Sequence, residues 1–184
     1  MEQRPITTAL RAAVSFARDA PSRCDERTIE SLLWGALNES RSLAKALTGR
    51  DDLRYRLGGK DRADVSGFAE NNADDALVVI EVKLRAAFHW RKAIEKSQLD
   101  AYSDRNPDAA LVLVASDSAI KKFHARGTGE YHRDGWREFD SYDKWNEHVT
   151  SLDDLLELLE NALVNAPPDP SAEAVARIVA RKSD

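Results

Sequence analysis

The spacing of hydrophobic residues predicts two helices at the start of the chain. Residues 6–19 place Ile6, Leu10 and Val14 at helical spacing, and Pro21 interrupts this helix because proline lacks the N–H that a helix interior needs. A longer helix is expected over residues 28–48, where apolar and small residues repeat on one face. Gly49 follows directly, as glycine often does just past a helix end.

Alternating patterns then predict a hairpin and a central strand. Residues 53–57 and 63–68 alternate between polar and apolar positions, with a turn at Gly58-Gly59 between them. Residues 71–75 are rich in Asn and Asp, which is typical of a loop. The β-branched, apolar run ALVVIEVKL at 76–84 is the strongest strand signal in the sequence. We expect it to be a central strand that is buried on both faces.

The remainder of the chain predicts further helices and one more buried strand. Ser151 is a typical N-cap for the amphipathic helix at 151–165, and APPDP at 166–170 predicts a stiff linker. The other predicted elements are a helix at 87–103, a buried strand at 110–116, a short helix from Asp117 or Ser118 to Ala125, a loop at 126–135, an edge strand at 136–142 and a last short helix at 171–184.

This order predicts an α/β fold in which helices flank a central mixed sheet. The 184 residues fit a single domain over 1–165, followed by the linker and short helix of 166–184. Apolar residues make up 42% of the chain and charged residues 32%, which is typical of a soluble globular protein.

We find no secretory signal and no apolar run of the roughly 18–20 residues that a membrane span needs. The lone Cys24 suits a reducing cytoplasm.

Three charged residues on neighbouring strands carry the candidate chemistry. Glu81 and Lys83 are two apart on the central strand, so both side chains point to one face. Asp64 lies on the preceding strand of the hairpin, where it can sit beside Glu81. Adjacent carboxylates repel each other unless a cation lies between them, and Mg²⁺ favours a few carboxylate oxygens together with water and phosphate. Lys83 can then hold an attacking water or stabilise charge that develops on the phosphate.

The Glu-x-Lys triplet has little specificity by itself. A chain of this length contains roughly 0.6 such triplets by chance, and an ordinary ion pair is the alternative interpretation. The context favours a site, because Glu81 and Lys83 interrupt the most apolar strand of the chain. Charges in such a strand are costly unless they are paired or bound to metal.

Two helices supply further candidates. In the predicted helix at 87–103, Gln98 and Tyr102 fall within or beside the apolar face and would need polar partners at the sheet. The alternative is a pair at the border of the helix. Glu30 lies on the border of the apolar face of the helix at 28–48, from which a carboxylate could reach the metal. The alternative is a solvated glutamate that interacts favourably with the helix dipole.

Four stretches of the chain together resemble the PD-(D/E)XK nuclease superfamily, and they span residues 28–116. They are ESLLWGAL from Glu30, RADVSGF with Asp64, VVIEVKL with Glu81 and Lys83, and QLDAY from Gln98 to Tyr102. The resemblance implies a restriction-endonuclease-like α-β-β-β-α-β core with extra N- and C-terminal helices. One departure is that the residue before Asp64 is Ala63 rather than proline.

The resemblance also assigns roles by position. It implies that Asp64, Glu81 and Val82 are metal-ligating positions, Lys83 is the catalytic lysine, Glu30 is a helix-borne acid, and Gln98 and Tyr102 are a helix pair of the same site. The expected activity is Mg²⁺-dependent hydrolysis of DNA, with Mn²⁺ as a substitute. By analogy with small stand-alone members, the pathway would be bacterial defence or repair.

The sequence is also compatible with other functions. The same site could act on RNA, or the fold could serve as a non-catalytic binding or assembly module. The net charge of −5 counts against a protein that coats nucleic acid, although residues 50–96 hold ten basic and nine acidic residues and become basic if a metal neutralises the acids. The C-terminal helices could serve a homodimer or a protein partner.

Histidine and tryptophan residues give weaker signals. The four histidines are scattered, and no cysteine or close second histidine completes a zinc set. Trp90, Trp136 and Trp145 could stack on bases, but packing in or beside the core is the simpler interpretation of each.

Overall fold

The computed structural model describes residues 4–58, 63–85, 88, 90–91, 96–128 and 139–164, with the backbone alone at 72–73 and 90–91. The strands are β1 (Leu53–Leu57), β2 (Val65–Ala69), β3 (Asn72–Lys83), β4 (Trp90–Arg91), β5 (Lys96–Ser97), β6 (Ala110–Ala115) and β7 (Val149–Ser151). The helices are α1 (Pro5–Asp19), α2 (Glu26–Glu39), α3 (Arg41–Thr48), α4 (Gln98–Arg105), α5 (Asp117–Gly127), α6 (Tyr142–Asn146) and α7 (Leu152–Val164), with a 3₁₀ turn at Pro21–Arg23.

Five of the strands form one mixed sheet in the order β1-β2-β3-β6-β7. Strands β1, β2 and β3 are antiparallel neighbours, whereas β3, β6 and β7 run parallel to one another. Strands β4 and β5 pair separately as a short ribbon. The expected α/β class and the central position of the apolar run at 76–84 are therefore confirmed.

Two hydrophobic clusters cover the two faces of the sheet. On one face, Ile80 and Val82 pack with residues of α1, α2, α3 and α7. On the other face, Val79 and Leu113 pack with residues of α4, α5 and α6. Side chains alternate between faces along a strand, so β3 is apolar on both sides, as the sequence predicts. Each fully buried side chain of this size stabilises the fold by about 1.5–3 kcal/mol.

The single helix expected over 28–48 is wrong, because the chain forms two helices there. Ser40 separates α2 from α3, and its Oγ accepts a hydrogen bond from the N–H of Leu43 at 3.3 Å. A serine side chain that caps a new helix in this way competes with continuation of the old one. The expected helix end at Gly49 is confirmed, and its φ of 76° suits glycine.

Other element boundaries also differ from the expectations. The expected loop at 71–75 is mostly strand, since β3 begins at Asn72. In the stretch expected to be a helix at 87–103, residues 90–91 pair with 96–97, and α4 begins only at Gln98, where Ser97 Oγ accepts from the N–H of Asp100. Within the expected edge strand at 136–142, Tyr142 opens a helix, and β7 forms that edge instead.

The remaining expectations are confirmed or lie outside the described residues. The helix after β6 is confirmed, although Ser116 rather than Asp117 or Ser118 is its N-cap. The Ser151 cap of α7 is confirmed, because Ser151 Oγ accepts from the N–H of Asp154 at 3.0 Å. Residues 166–170 and 171–184, where a linker and a helix are expected, lie outside the described residues, as does Gly59 of the expected hairpin turn.

Helix α2 is hydrogen-bonded to the backbone of the edge strand β1. The indole N–H of Trp34 and the amide N–H of Asn38 both donate to the carbonyl of Tyr55, at 2.9 and 3.1 Å. The side-chain oxygen of Asn38 accepts from the N–H of Tyr55 at 3.0 Å. These contacts fix the rotation of α2 about its axis relative to the sheet. In the described part of the chain, none of the helices has the length and apolarity to cross a membrane.

Candidate active site

The register of β2 and β3 places Asp64 beside the central strand. Val65 pairs with Ile80, so Asp64, one residue before β2, lies across from Glu81. The N–H of Val82 donates to Asp64 Oδ2 at 2.7 Å, which fixes the carboxylate against β3. Hydrophobic pairing in the hairpin therefore determines the position of this acid, as the sequence indicates.

Glu81 and Lys83 form an ion pair in the protein interior. The exposed fraction of Glu81 is 0% and that of Lys83 is 6%. Lys83 Nζ contacts Glu81 Oε1 and also donates to the carbonyl of Val82 at 3.1 Å. Burial of two charges is expensive unless both are paired, and this pair has further polar neighbours in Asp64 and in the helix that follows.

Helix α4 brings an amide to the same carboxylate. Gln98 Nε2 donates to Glu81 Oε1 and to the hydroxyl of Tyr102, both at 2.8 Å. Gln98 is the first residue of α4, so its side chain reaches the sheet from the helix start rather than from the middle of the longer helix expected over 87–103. The structure therefore places Gln98 in contact with Glu81, and Tyr102 one contact further away.

Two buried oxygens of this group have no hydrogen-bond partner among the described residues. They are Glu81 Oε2 and Gln98 Oε1. A buried oxygen without a donor carries a desolvation cost of about 1–3 kcal/mol, and more when it is charged. The side chain of Asp64 is also hydrogen-bonded to Glu81, so either a proton shared by the two carboxyl groups or a bound cation would satisfy Glu81 Oε2.

The carboxyl groups of the site are shifted toward their protonated forms. Burial, together with the charge of Asp64, raises the pKa of Glu81 to about 8 although the Lys83 ammonium lowers it. Burial and the charge of Asp64 likewise raise the pKa of Glu30 to about 7. Burial also raises the pKa of Asp64. The pKa of Lys83 is raised because Glu81 and Asp64 outweigh the opposing effect of burial.

Glu26 is a further acid beside the site, and the sequence analysis missed it. Its Oε1 accepts hydrogen bonds from the N–H groups of Leu84 and Arg85, at 2.8 and 2.9 Å. It lies four residues before Glu30, on the same face of α2. That spacing was available in the sequence, but nothing in it indicated that Glu26 would bind backbone donors at the end of β3.

The residues after Lys83 are also held from the side of β6. Ser116 donates its N–H to the carbonyl of Lys83 at 3.0 Å and its hydroxyl to the carbonyl of Leu84 at 2.8 Å. Glu26 and Ser116 thus hold the end of β3 from opposite sides. The backbone that carries Lys83 is fixed on both edges.

The donor set fits a hard divalent cation with few protein ligands. Among the described residues, no group of three or more His, Cys, Asp or Glu side chains is arranged to hold a metal ion. Mg²⁺ needs only one or two carboxylates, with waters and phosphate completing its shell. Asp64 and Glu81 Oε2, which has no partner in the described part of the chain, are the carboxylate oxygens that would serve, and the Val82 carbonyl already faces a cation, the Lys83 ammonium.

The other candidates from the sequence lie elsewhere or in undescribed parts. His124 Nδ1 is hydrogen-bonded to the Tyr142 hydroxyl at 2.9 Å, within the aromatic cluster of α5 and α6. Trp145 is fully buried, which supports its interpretation as a core residue. The side chains of Trp90 and Trp136 lie outside the described residues.

Comparisons of the chain with family models, with curated proteins and with solved structures each gave no match. The geometry and chemistry of the site therefore carry what can be inferred about function.

Proposed function

We propose that this protein is a metal-dependent nuclease of the PD-(D/E)XK type that hydrolyses phosphodiester bonds in DNA. The observation that carries the proposal is the cluster of Asp64, Glu81 and Lys83 in a largely buried space, where one oxygen of Glu81 has no hydrogen-bond donor among the described residues. A purely structural ion pair would be expected to satisfy its buried oxygens. A cation bound between Asp64 and Glu81 would satisfy that oxygen of Glu81, and in the metal-free protein a proton shared by the two carboxyl groups takes its place.

The residues of the site would have two kinds of role: some would bind the metal ion, and Lys83 would act on the substrate. Asp64, Glu81 and the carbonyl of Val82 would hold Mg²⁺ or Mn²⁺. When bound, such an ion acts as a Lewis acid on a phosphoryl oxygen and lowers the pKa of bound water. Lys83 presents an ammonium, which stabilises negative charge that develops on the phosphate. Glu30, with a pKa of about 7, can accept or give up a proton near neutral pH.

Gln98 and Tyr102 orient the ligands. The amide N–H of Gln98 on Glu81 Oε1 leaves Oε2 as the free oxygen of that carboxylate. The Tyr102 hydroxyl accepts from the same amide nitrogen and so restricts its rotation. Ligands that are held before substrate arrives need less reorganisation during the reaction.

The order of elements supports the finer assignment of the fold. Helix α2 with α3, strands β1 to β3, helix α4 and strand β6 follow one another as in the α-β-β-β-α-β core of restriction-endonuclease-like proteins. The β4–β5 ribbon would be an insertion before α4, and α1, α5, α6 and α7 would be additions. We propose this fold family on the element order together with the position of the site on β2 and β3.

The same site could hydrolyse RNA, because Asp64, Glu81 and Lys83 would act on the phosphate and not on the sugar. A non-catalytic module is the competing interpretation from another class. One observation favours it: the Lys83 ammonium already neutralises Glu81 and bonds to the Val82 carbonyl. In that case Lys83 would matter for stability and not for chemistry.

Cleavage assays with lysine variants distinguish these functions. Plasmid, single-stranded DNA and RNA are incubated with the wild type, Lys83→Ala and Lys83→Met, with and without Mg²⁺ or Mn²⁺. We expect metal-dependent cleavage by the wild type and a loss of roughly 10²–10³-fold in both variants, as for removal of one electrostatic contact to a transition state. Lys96→Met, at a half-buried lysine that is paired with Asp104, is the control and should retain activity.

Two outcomes would contradict the proposal. Equal cleavage by the wild type and both Lys83 variants would indicate a contaminating nuclease. Absence of cleavage on all three substrates with both metals would favour the non-catalytic module.

A further inference from the structure

We propose that Arg23, Arg27 and Arg85 form a phosphate-binding surface beside Lys83 that holds the backbone of a nucleic acid substrate. We call these three residues the arginine surface. The inference rests on the proposed nuclease function and specifies how the substrate is held.

Arg85 is held next to the candidate lysine with its charge toward solvent. It lies two residues after Lys83 and is exposed. Its Nη2 donates to the carbonyl of Ser22 at 2.9 Å, and its backbone N–H is held by Glu26. One carbonyl occupies only one of the five N–H donors of a guanidinium. The side chain is therefore oriented while most of its donors stay available.

Arg23 and Arg27 come from the segment that Arg85 contacts. Arg23 follows Ser22 directly, and Arg27 lies in the first turn of α2. Both side chains are exposed. The charge of Arg27 acts on the Glu30 carboxyl group, which places this guanidinium near the acids of the site. Arg27 and Arg85 thus lie where the start of α2 meets the end of β3, and Arg23 is next to the residue that Arg85 contacts.

The described acids do not form ion pairs with these arginines. Among the salt bridges of the described residues, none includes Arg23, Arg27 or Arg85, whereas other arginines do have acid partners, namely Arg11, Arg18, Arg50 and Arg54. The nearest acids are bound to backbone donors instead. Asp25 accepts from the N–H of Arg27, and Glu26 from two N–H groups at the end of β3.

This arrangement fits a polyanion that enters a site rich in carboxylates. The acids of the site repel phosphate, so a substrate needs cationic groups at the entrance. Arginine binds phosphate through two parallel N–H donors and keeps its charge at any pH of interest. Because such contacts do not read bases, the surface is expected to bind backbones of any sequence.

Salt-dependent binding tests the arginine surface. Fluorescence anisotropy measures the Kd of a labelled 20-mer DNA between 0.05 and 0.3 M KCl, with Ca²⁺ added to fill the metal site, for the wild type, Arg27→Gln and Arg23→Gln/Arg27→Gln/Arg85→Gln. Each lost phosphate contact should reduce the slope of log Kd against log salt by about 0.9, which is roughly an eightfold weaker binding at 0.1 M salt. KM for Mg²⁺-dependent cleavage should rise more than kcat falls.

The control is Arg41→Gln. Arg41 is exposed and lies beyond the far end of α2, a 14-residue helix about 21 Å long at 1.5 Å per residue. Its slope and Kd should match the wild type. Arg27→Gln removes no side-chain hydrogen bond of the described structure, so a lower affinity in that variant would not reflect unfolding, and its melting temperature checks this.

The outcomes separate this inference from the proposed function. If the wild type cleaves DNA and the triple variant keeps its salt slope and Kd, the arginine surface is wrong and the nuclease proposal stands. If the wild type neither binds nor cleaves DNA or RNA with any of the metals, both proposals fail. If Arg41→Gln weakens binding as much as Arg27→Gln does, the effect is one of overall charge, and the surface is wrong.

Discussion

Lys83 Nζ donates a hydrogen bond to the carbonyl of Val82, 3.1 Å away, while it also contacts Glu81. These two oxygens are among the three groups that we propose as metal ligands. The Lys83 ammonium therefore contacts groups that a bound divalent cation would also contact. Binding of metal and the position of this lysine must be coupled, because two cations that share the Val82 carbonyl and bind the two oxygens of one carboxylate repel each other.

The first prediction follows from this coupling. Lys83→Met keeps the aliphatic stem and removes the charge, so the variant should bind Mn²⁺ or Mg²⁺ at least as tightly as the wild type. Isothermal titration calorimetry measures the two Kd values. Weaker metal binding in Lys83→Met would show that the ammonium does not compete with a metal.

A second prediction concerns Asp64. A cation that binds only the folded protein raises its melting temperature, so Mg²⁺ or Mn²⁺ should stabilise the wild type. Asp64→Asn keeps an acceptor for the N–H of Val82 but loses the charge, and should lose this stabilisation. Differential scanning fluorimetry with and without metal measures both. Asp104→Asn, at an exposed acid that pairs with Lys96, should respond like the wild type; a full metal response in Asp64→Asn would remove Asp64 from the ligand set.

The raised pKa values predict that the metal-free protein loses stability as pH rises. A carboxyl group with a higher pKa in the folded state binds its proton more tightly there. The stabilisation is complete below the unfolded pKa, near 4.5, and disappears as pH rises through about 7 for Glu30 and about 8 for Glu81. Urea denaturation in EDTA should therefore show a falling free energy of unfolding from pH 5 to pH 8.5.

Two variants test which carboxyl group causes this fall in stability with pH. Glu81→Gln removes the titrating group and should flatten the decline from about pH 5.5 to pH 8, and above pH 7, where Glu30 is already ionised, little decline should remain. Glu157→Gln, at an exposed position of α7, should leave it unchanged. An equally steep decline in Glu81→Gln would mean that other groups cause it. Added Mg²⁺ should restore stability more at pH 8 than at pH 6, because metal and protons compete for the same carboxylates.

Glu26 gives a prediction about stability. Glu26→Ala leaves the N–H groups of Leu84 and Arg85 without their acceptor and should lower the free energy of unfolding by about 1–3 kcal/mol. Glu26→Gln keeps an amide oxygen in the same place and should lose less. Urea denaturation measures both. If the two variants lost the same amount, the charge of Glu26 and not its hydrogen bonds would be the important property.

The sequence predicted the parts of the fold that depend on burial. The run at 76–84 is apolar on both faces, and its position as the central strand follows from that pattern. The pairing of β2 with β3 then brings Asp64 beside Glu81. Both predictions succeed because the period of two along a strand determines which residues share a face.

The errors occur where short polar side chains decide between helix and other structure. Ser40 and Ser97 each cap a helix within a stretch expected to be continuous helix. Hydrophobic spacing cannot reveal such breaks, because the apolar face continues across them. Gln98 was expected to face the sheet, but from the middle of a longer helix and not from a helix start, and its partner Glu81 was not foreseen. Glu26 was missed because its partners are backbone groups of a distant strand.

The bonds from Trp34 and Asn38 to Tyr55 have a consequence for self-association. A strand at the edge of a sheet offers free N–H and C=O groups to a second chain, which is a common route to aggregation. At β1 the middle of that edge is already occupied by side chains of α2. A second copy of the chain cannot add a strand there without first displacing the indole of Trp34 and the amide of Asn38. Aggregation by strand addition along β1 is therefore disfavoured.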